Sequence, residues 1–414
     1  MSRRKGRSHS RRRRGRRKNG NWFTRMSLGG KIGVCVGSFF LCIIASGVIF
    51  VAAKLGKMDT EDIKSEDLIV NQEAEESAKG YTNFALFGID SRSGKLDKGT
   101  RSDTIIVASL NNETKEVRMA SVYRDTLLNV GNGELAKCNA AYSYGGPTQA
   151  INMLNQNLDL NIKDFATVDF AAIANAIDML GGVEIDVQPE EIKAMNKYIG
   201  ETARVADKEA NLISEPGKQV LDGVQATTYA RIRSTAGGDF KRAERQRIVI
   251  EKVVAKIQKS SLGTLNKMID KLLPTIKTSL STAEILSYAK DFTKYKIGES
   301  SGFPFAKTTD TVSGLGSIVI PVTLKDNVIE LHDFLYGEEE EEYEPSSDVN
   351  DISSNIEAKV GQRVAVEDEF SRKKEDSDEA SDEGSDEESS EDSEENGSDE
   401  TKRESVKVEI EPIE

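Results

Sequence analysis

The chain has 414 residues, with 56 Lys or Arg against 70 Asp or Glu and a net charge of −14. It holds only two histidines and three cysteines, and Cys35 and Cys42 sit in an apolar run, leaving Cys138 alone in the polar part of the chain. This argues against an intrachain disulfide framework, a His- or Cys-ligated zinc site, and a Ser-His-Asp or Cys-His catalytic site in the central region; chemistry there falls to carboxylates, arginines and a hard metal ion.

Residues 1–31 carry thirteen Lys or Arg and no acid. The charge-free run 32–53 follows, long enough as a helix to cross a hydrocarbon core of about 30 Å. We read 32–53 as an uncleaved transmembrane signal anchor, with 1–31 held in the cytoplasm by its positive charge and the remainder exported. The arginines then serve topology and anionic lipid, and nucleic acid is not an expected partner. Residues 54–82 read as a polar stalk. The folded domain is expected over 83–336, and 337–414, rich in Glu, Asp and Ser, as a disordered acidic tail.

Within the domain, alternating or continuous apolar patterns predict strands at 84–89, 104–110, 117–122, 165–170, 183–187 and 317–322. Helices are expected from Gly145-Gly146-Pro147 to about 158, and at 171–180, 221–230, 242–259, 265–273, 283–292 and 324–335. Residues 193–214 read as a polar excursion. Strands alternating with helices predict an α/β fold, a mixed central sheet covered by helices on both faces. Cys138 reads as a small core side chain.

The richest stretch is TYARIRSTAGGDFKRAERQR, starting at Thr228. Arg231 and Arg233 are two apart and would point the same way from an extended segment. Gly237-Gly238 breaks the chain, Asp239 is a candidate N-cap, and Arg242, Arg245 and Gln246 would share a helix face. Only Asp239 and Glu244 oppose these cations within the stretch, so an anion site is favoured over a solvated charged face. Three further fragments fall at strand ends, where open α/β sheets bind ligands: Asp90-Ser91-Arg92, Arg101-Ser102-Asp103 and Arg124-Asp125.

The segments GIDSR, GTRSDTIIVASLN, ASVYRDT, NAAYSYGG, LGGVEIDV, LDGVQATTYARIR and GGDFKRAERQR occur in an order and spacing that resembles the LytR-CpsA-Psr family, over about 83–257. The commoner Ser-Ile-Pro-Arg-Asp block reads Ser121-Val122-Tyr123-Arg124-Asp125 here, without the proline. The resemblance implies phosphotransfer outside the membrane, moving a glycopolymer from a polyprenyl pyrophosphate carrier onto a peptidoglycan sugar hydroxyl. Under it, Arg92, Arg101, Arg124, Arg231, Arg233, Arg242, Arg245 and Gln246 bind the diphosphate. Asp90 and Asp103 hold Mg2+ or Mn2+. Asp103, Arg124 and Asp239 are the catalytic candidates, with Asp103 or Asp239 taking the acceptor's proton. The lipid is expected along an apolar cleft, with the helices near 151–158 and 173–180 as walls. Two rival readings are a lipid pyrophosphatase using water at the same site and a non-enzymatic envelope sensor or transcriptional attenuator.

Overall fold

The computed structural model describes residues 56, 59–90, 96–337 and 343–365. The expected cytoplasmic tail and anchor, Arg92, and residues 366–414 lie outside them. No helix among the described residues is long and apolar enough to cross a membrane.

The strands are β1 (Asp59–Thr60), β2 (Tyr81–Ile89), β3 (Ser102–Asn111), β4 (Glu116–Val122), β5 (Leu127–Asn129), β6 (Leu135–Lys137), β7 (Asp164–Asp169), β8 (Val183–Val187), β9 (Gly217–Leu221), β10 (Ile276–Thr278), β11 (Lys296–Phe303), β12 (Lys307–Val312) and β13 (Gly316–Pro321). The helices are α1 (Gln72–Ser77), α2 (Ala140–Leu158), α3 (Phe170–Met179), α4 (Pro189–Ala206), α5 (Gly223–Tyr229), α6 (Gly238–Gln258), α7 (Leu262–Leu272), α8 (Thr282–Lys290), α9 (Leu324–Tyr336) and α10 (Ser347–Val360).

Seven strands form a mixed sheet in the order β1-β10-β7-β2-β3-β4-β11, and three two-stranded ribbons, β5-β6, β8-β9 and β12-β13, flank it. Both faces of the sheet are apolar, as the near-continuous hydrophobic runs of β2 and β3 require. Ala85, Phe87 and Ile89 of β2, with Ile105 and Val107 of β3, face the main core. The alternate residues Phe84, Leu86, Ile106 and Ala108 pack on the other side with Ile250 of α6. Ile151, Leu154 and Leu158 of α2, a helix expected to wall the lipid cleft, are fully buried in the main core. Ala174 and Ile177 of α3 are buried in the packing of the smaller helices. Cys138 is buried, and burial pushes its thiol pKa up.

Register sets the location of the site. β7 runs parallel to β2, pairing Ile89 with Asp169, and β3 runs antiparallel, pairing Ile89 with Ser102. β4 pairs Ser121 with Ile106. Asp90, Asp103, Tyr123-Arg124 and Asp169-Phe170 therefore collect at one end of the sheet.

Several expected boundaries move. Residues 59–80 are not a stalk: β1 joins the sheet edge, Ile63 and Leu68 pack on the core, and Ala74 and Ala78 are buried. Residues 189–206 are helix where 193–214 was read as an excursion. Its apolar side, with Ala194, Met195, Ile199 and Ala203, recurs at helical spacing beneath a charged surface. The helix expected from Gly145-Gly146-Pro147 does begin there, after non-helical angles at Gly145 and Gly146, and a further helical stretch from Ala140 precedes that break. Asp239 is not the N-cap of α6; Gly237 is, at φ 80°, a left-handed conformation suited to glycine. The acidic tail is not disordered from 337 onward. Val349, Ile352 and Ile356 of α10 recur on one side and are buried in the main core, giving this segment the apolar area it needs to order.

Candidate active site

A cavity of about 230 Å³ opens at this end of the sheet, lined by Asp90, Asp103, Phe170, Tyr198, Glu201, Arg231, Arg233, Arg242 and Gln246. Its cations come from two elements, the turn after α5 and the first turns of α6. Arg231 and Arg233 do not lie in a strand, yet both reach the cavity. Arg231 donates to Asp90 at 3.2 Å and to Thr202 at 3.1 Å, and its guanidinium stacks on Phe170 at 4.7 Å. Arg242 is almost fully buried and donates to the Asp103 carbonyl at 3.0 Å and to Asp239 at 3.1 Å. Burial is the main cause that holds its pKa down to about 10; Asp239 works in the opposite direction, and the cation of Arg124 adds to the depression.

Arg124 sits behind these groups. It donates to Asp103 at 2.5 Å and lies 3.6 Å from Asp125 and 3.7 Å from Asp239. Burial opposes its charge, but Asp103, Asp239 and Asp125 together outweigh that and raise its pKa. Asp239 ties the set together, within ion-pair range of Arg124, Arg233 and Arg242. Asp169 caps α3 by accepting from the Ala172 amide at 2.8 Å; burial raises its pKa against that hydrogen bond, and the charge of Asp90 adds to the rise.

Asp90 Oδ1, on a residue that lines the cavity, is buried without a hydrogen-bond partner, whereas Asp239 Oδ1 and Arg124 Nε face each other in an ion pair at 3.7 Å. Buried polar groups are nearly always satisfied, so Asp90 Oδ1 is the atom here that a ligand or ion would complete.

Of the residues expected at the site, Asp90, Asp103, Arg231, Arg233, Arg242 and Gln246 line the cavity, and Arg124 and Asp239 adjoin it. Arg101 is exposed and does not line it. Arg92 lies outside the described residues. Arg245 belongs elsewhere: it is buried, donating to Glu191 at 2.7 Å, to the Ile232 carbonyl at 3.1 Å and to Thr235 at 2.7 Å. Helical rotation carries position 245 away from 242 and 246 toward α4. Beyond Asp239 and Glu244, segments distant in sequence supply further carboxylates: Asp90 to Arg231, Asp103 to Arg124 and Glu191 to Arg245. Tyr198 and Glu201 were missed altogether because their helix was. The Pro189-Glu190-Glu191 start, with Glu191 completing a capping box on Gln188, was the available signal.

A family model for the LytR_cpsA_psr family matches residues 47–319. The polyisoprenyl-teichoic acid–peptidoglycan teichoic acid transferase TagU of Enterococcus faecalis is 30% identical over 228 residues, covering 53% of this chain and 70% of that protein. The similarly described TagV of Bacillus subtilis is 28% identical over 240 residues, covering 57% of this chain and 56% of that protein. The crystal structure of protein gbs0355 from Streptococcus agalactiae shares the fold with a TM-score of 0.52 at 23% identity, over 74% of this chain and 99% of that one.

Proposed function

This chain belongs to the LytR-CpsA-Psr family, and on that premise we propose that it is an extracellular phosphotransferase that moves an anionic glycopolymer from a polyprenyl diphosphate carrier onto peptidoglycan. One observation carries the reading: Arg231, Arg233 and Arg242 surround a single cavity that also holds Asp90 and Asp103. Guanidinium forks bind two phosphate oxygens each, and a displacement at phosphorus asks the protein mainly for positioning and neutralisation of charge. The names of the similar transferases agree with that chemistry.

In the proposed reaction, a sugar hydroxyl of peptidoglycan attacks the phosphorus that bears the polymer. A new O–P bond forms, the bridging P–O bond to the lipid phosphate breaks, and polyprenyl monophosphate leaves. The hydroxyl proton passes to Asp103 or Asp239, two of the three carboxylates that pair with Arg124. Arg231, Arg233 and Arg242 hold the diphosphate, and Gln246 orients one of its oxygens. Arg124 steadies the charge that develops on the departing phosphate.

The residues also suit a divalent ion. Asp90 and Asp103 share the cavity, and Asp90 Oδ1 is buried without a hydrogen bond. Magnesium takes one or two carboxylates with phosphate oxygens completing its shell, and manganese accepts the same donors. Bound there, such an ion supplies positive charge to the phosphate oxygens. If 32–53 is an anchor, as its apolar sequence leads us to expect, the site would lie outside the cell membrane.

The test incubates the full chain in detergent with a polyprenyl-diphosphate-linked polymer, with and without peptidoglycan fragments. Polymer joined to the fragments through a phosphodiester, and absent with Arg231→Ala, supports the proposal. Release of polymer phosphate at the same rate without acceptor would instead make the chain a pyrophosphatase.

A further inference from the structure

Residues 59–80 belong to the fold, so no stalk lifts the domain away from the expected anchor at 32–53, and strand direction fixes the end at which the chain enters. β1 runs parallel to β10, pairing Asp59 with Lys277. β10 runs antiparallel to β7, pairing Lys277 with Thr167, and β7 in turn pairs Thr167 with Phe87 of β2. Asp59 is therefore level with Phe87, close to Asp90, and β1 leads away from the cavity. The chain thus enters β1 from the cavity end of the sheet. Residues 54–58 separate the apolar run from Asp59 and reach at most about 20 Å even when fully extended. At the opposite end, Gly80 accepts from the Asn112 amide at 2.9 Å, and it lies roughly 24 Å from the level of Phe87 at a strand rise of about 3.4 Å. The segment is too short to set that end on a bilayer.

The cavity end also carries the side chains of a membrane interface. Lys98 and Arg101 are exposed on the loop between β2 and β3. The Gly99 amide of that loop donates to the Ser143 carbonyl at 3.0 Å, beside Tyr144, the one aromatic among the large apolar side chains left exposed in the described residues. Cations attract anionic headgroups, and tyrosine settles where one end of its ring is apolar and the other wet. The loop is fastened to the entering segment: Lys277, buried in β10, donates to Glu61 at 2.8 Å and to Asp97 at 2.5 Å. We propose that the cavity end of the sheet rests on the outer face of the membrane, with Lys98, Arg101 and Tyr144 meeting an anionic lipid surface. This holds the arginine cavity at headgroup level, where the diphosphate of a polyprenyl carrier lies. The inference rests on the anchor of the function proposed above and adds to it which way the domain faces.

The experiment reconstitutes the full chain, carrying Cys35→Ser and Cys42→Ser, in liposomes that contain phosphatidylglycerol; Cys138 is buried and escapes labelling. A thiol-reactive fluorophore is attached through Lys98→Cys or, at the other end of the sheet, through Glu113→Cys, both exposed positions. Between them runs β3, ten residues and roughly 34 Å long. Lipid with a nitroxide on its headgroup should quench the label at position 98 several-fold more than the label at position 113. Equal quenching at the two positions, present or absent, would overturn the inference, as would stronger quenching at 113. Flotation of the liposomes reads the anchor separately. A chain that stays at the bottom of the gradient, or that alkaline carbonate strips from the floated liposomes, would remove the anchor itself and this inference with it.

Discussion

The Arg245 guanidinium donates to the Glu191 carboxylate at 2.7 Å, and both side chains are almost wholly removed from solvent. The same guanidinium holds the Ile232 carbonyl and the Thr235 hydroxyl, so it braces the turn that carries Arg231 and Arg233. The brace joins α4, α6 and that turn, the elements that line most of the cavity. Glu191→Ala leaves a buried cation unpaired and should destabilise the fold by about 3–5 kcal/mol, read from urea unfolding. A Glu191→Leu, Arg245→Met double variant should recover most of that loss while still impairing transfer, because the turn loses its anchor. Full activity in the double variant would show that the turn needs no brace.

Part of this was legible from sequence and part was not, for identifiable reasons. The strands β2, β3 and β4 were visible because they are apolar on both faces and bounded by turn residues. The helix α4 was hidden because Glu190, Glu191, Lys193, Asn196 and Lys197 dominate its composition while its apolar stripe is thin. β11, reading KIGESSGF, joins the sheet at its edge and carries few of the residues that signal a strand. At the site, residue types were readable but pairings were not. Asp90 meets Arg231 across 141 positions, and Arg242 meets Asp103 across 139, contacts fixed by strand register and helix packing. Arg245 looked equivalent to Arg242 only because helical spacing does not reveal what stands opposite.

Replacing Arg231 with Lys keeps the charge and removes the fork. It should lower transfer by about two to three orders of magnitude, comparable to losing one donor aimed at developing charge. Arg233→Ala should act similarly on transfer with little effect on stability, because Arg233 is half exposed and its ion pair with Asp239 is loose at 3.8 Å. Circular dichroism melting together with transfer assays separates the two effects. Retention of parental transfer by both variants would remove the arginines from the reaction.

Magnesium should raise the melting temperature of the full chain, and Asp90→Asn should abolish that rise. Ligand-linked stabilisation grows with the logarithm of concentration over Kd, so a titration reports affinity without any assay of transfer. An undiminished rise in Asp90→Asn would place the ion elsewhere.

Stability should fall on acidification through His332. Its ring stacks on Tyr343 at 3.7 Å, Nε2 donates to the Leu158 carbonyl at 2.9 Å, and Nδ1 is buried without a partner. Burial lowers the pKa from 6.5 to about 4. The unfolded chain therefore takes up a proton at higher pH than the folded one. The stability conferred by the neutral ring is fully present above pH 6.5 and declines as pH falls toward 4, by up to about 3 kcal/mol. Urea unfolding at pH 6.5 and 4.5 should show this slope, and His332→Phe should flatten it.

Asp159 joins three separate parts of the chain. Its carboxylate accepts from Asn71 at 2.5 Å, from Tyr343 at 2.6 Å, and from the amide and hydroxyl of Ser346, each at 2.7 Å. It is fully buried at the end of α2, in a left-handed conformation at φ 47°. Ser346 is the N-cap of α10, so Asp159 sets where that helix meets the core. Asp159→Ala would leave four donors without their acceptor and should cost about 3 kcal/mol or more. Amide hydrogen exchange gives the sharper reading, because it reports each helix separately. Amides of α10 should lose protection first in Asp159→Ala, while those of β2 and β3 keep theirs until global unfolding. Uniform loss across the sheet and α10 would mean that the helix is not a separable unit and that Asp159 supports the whole core.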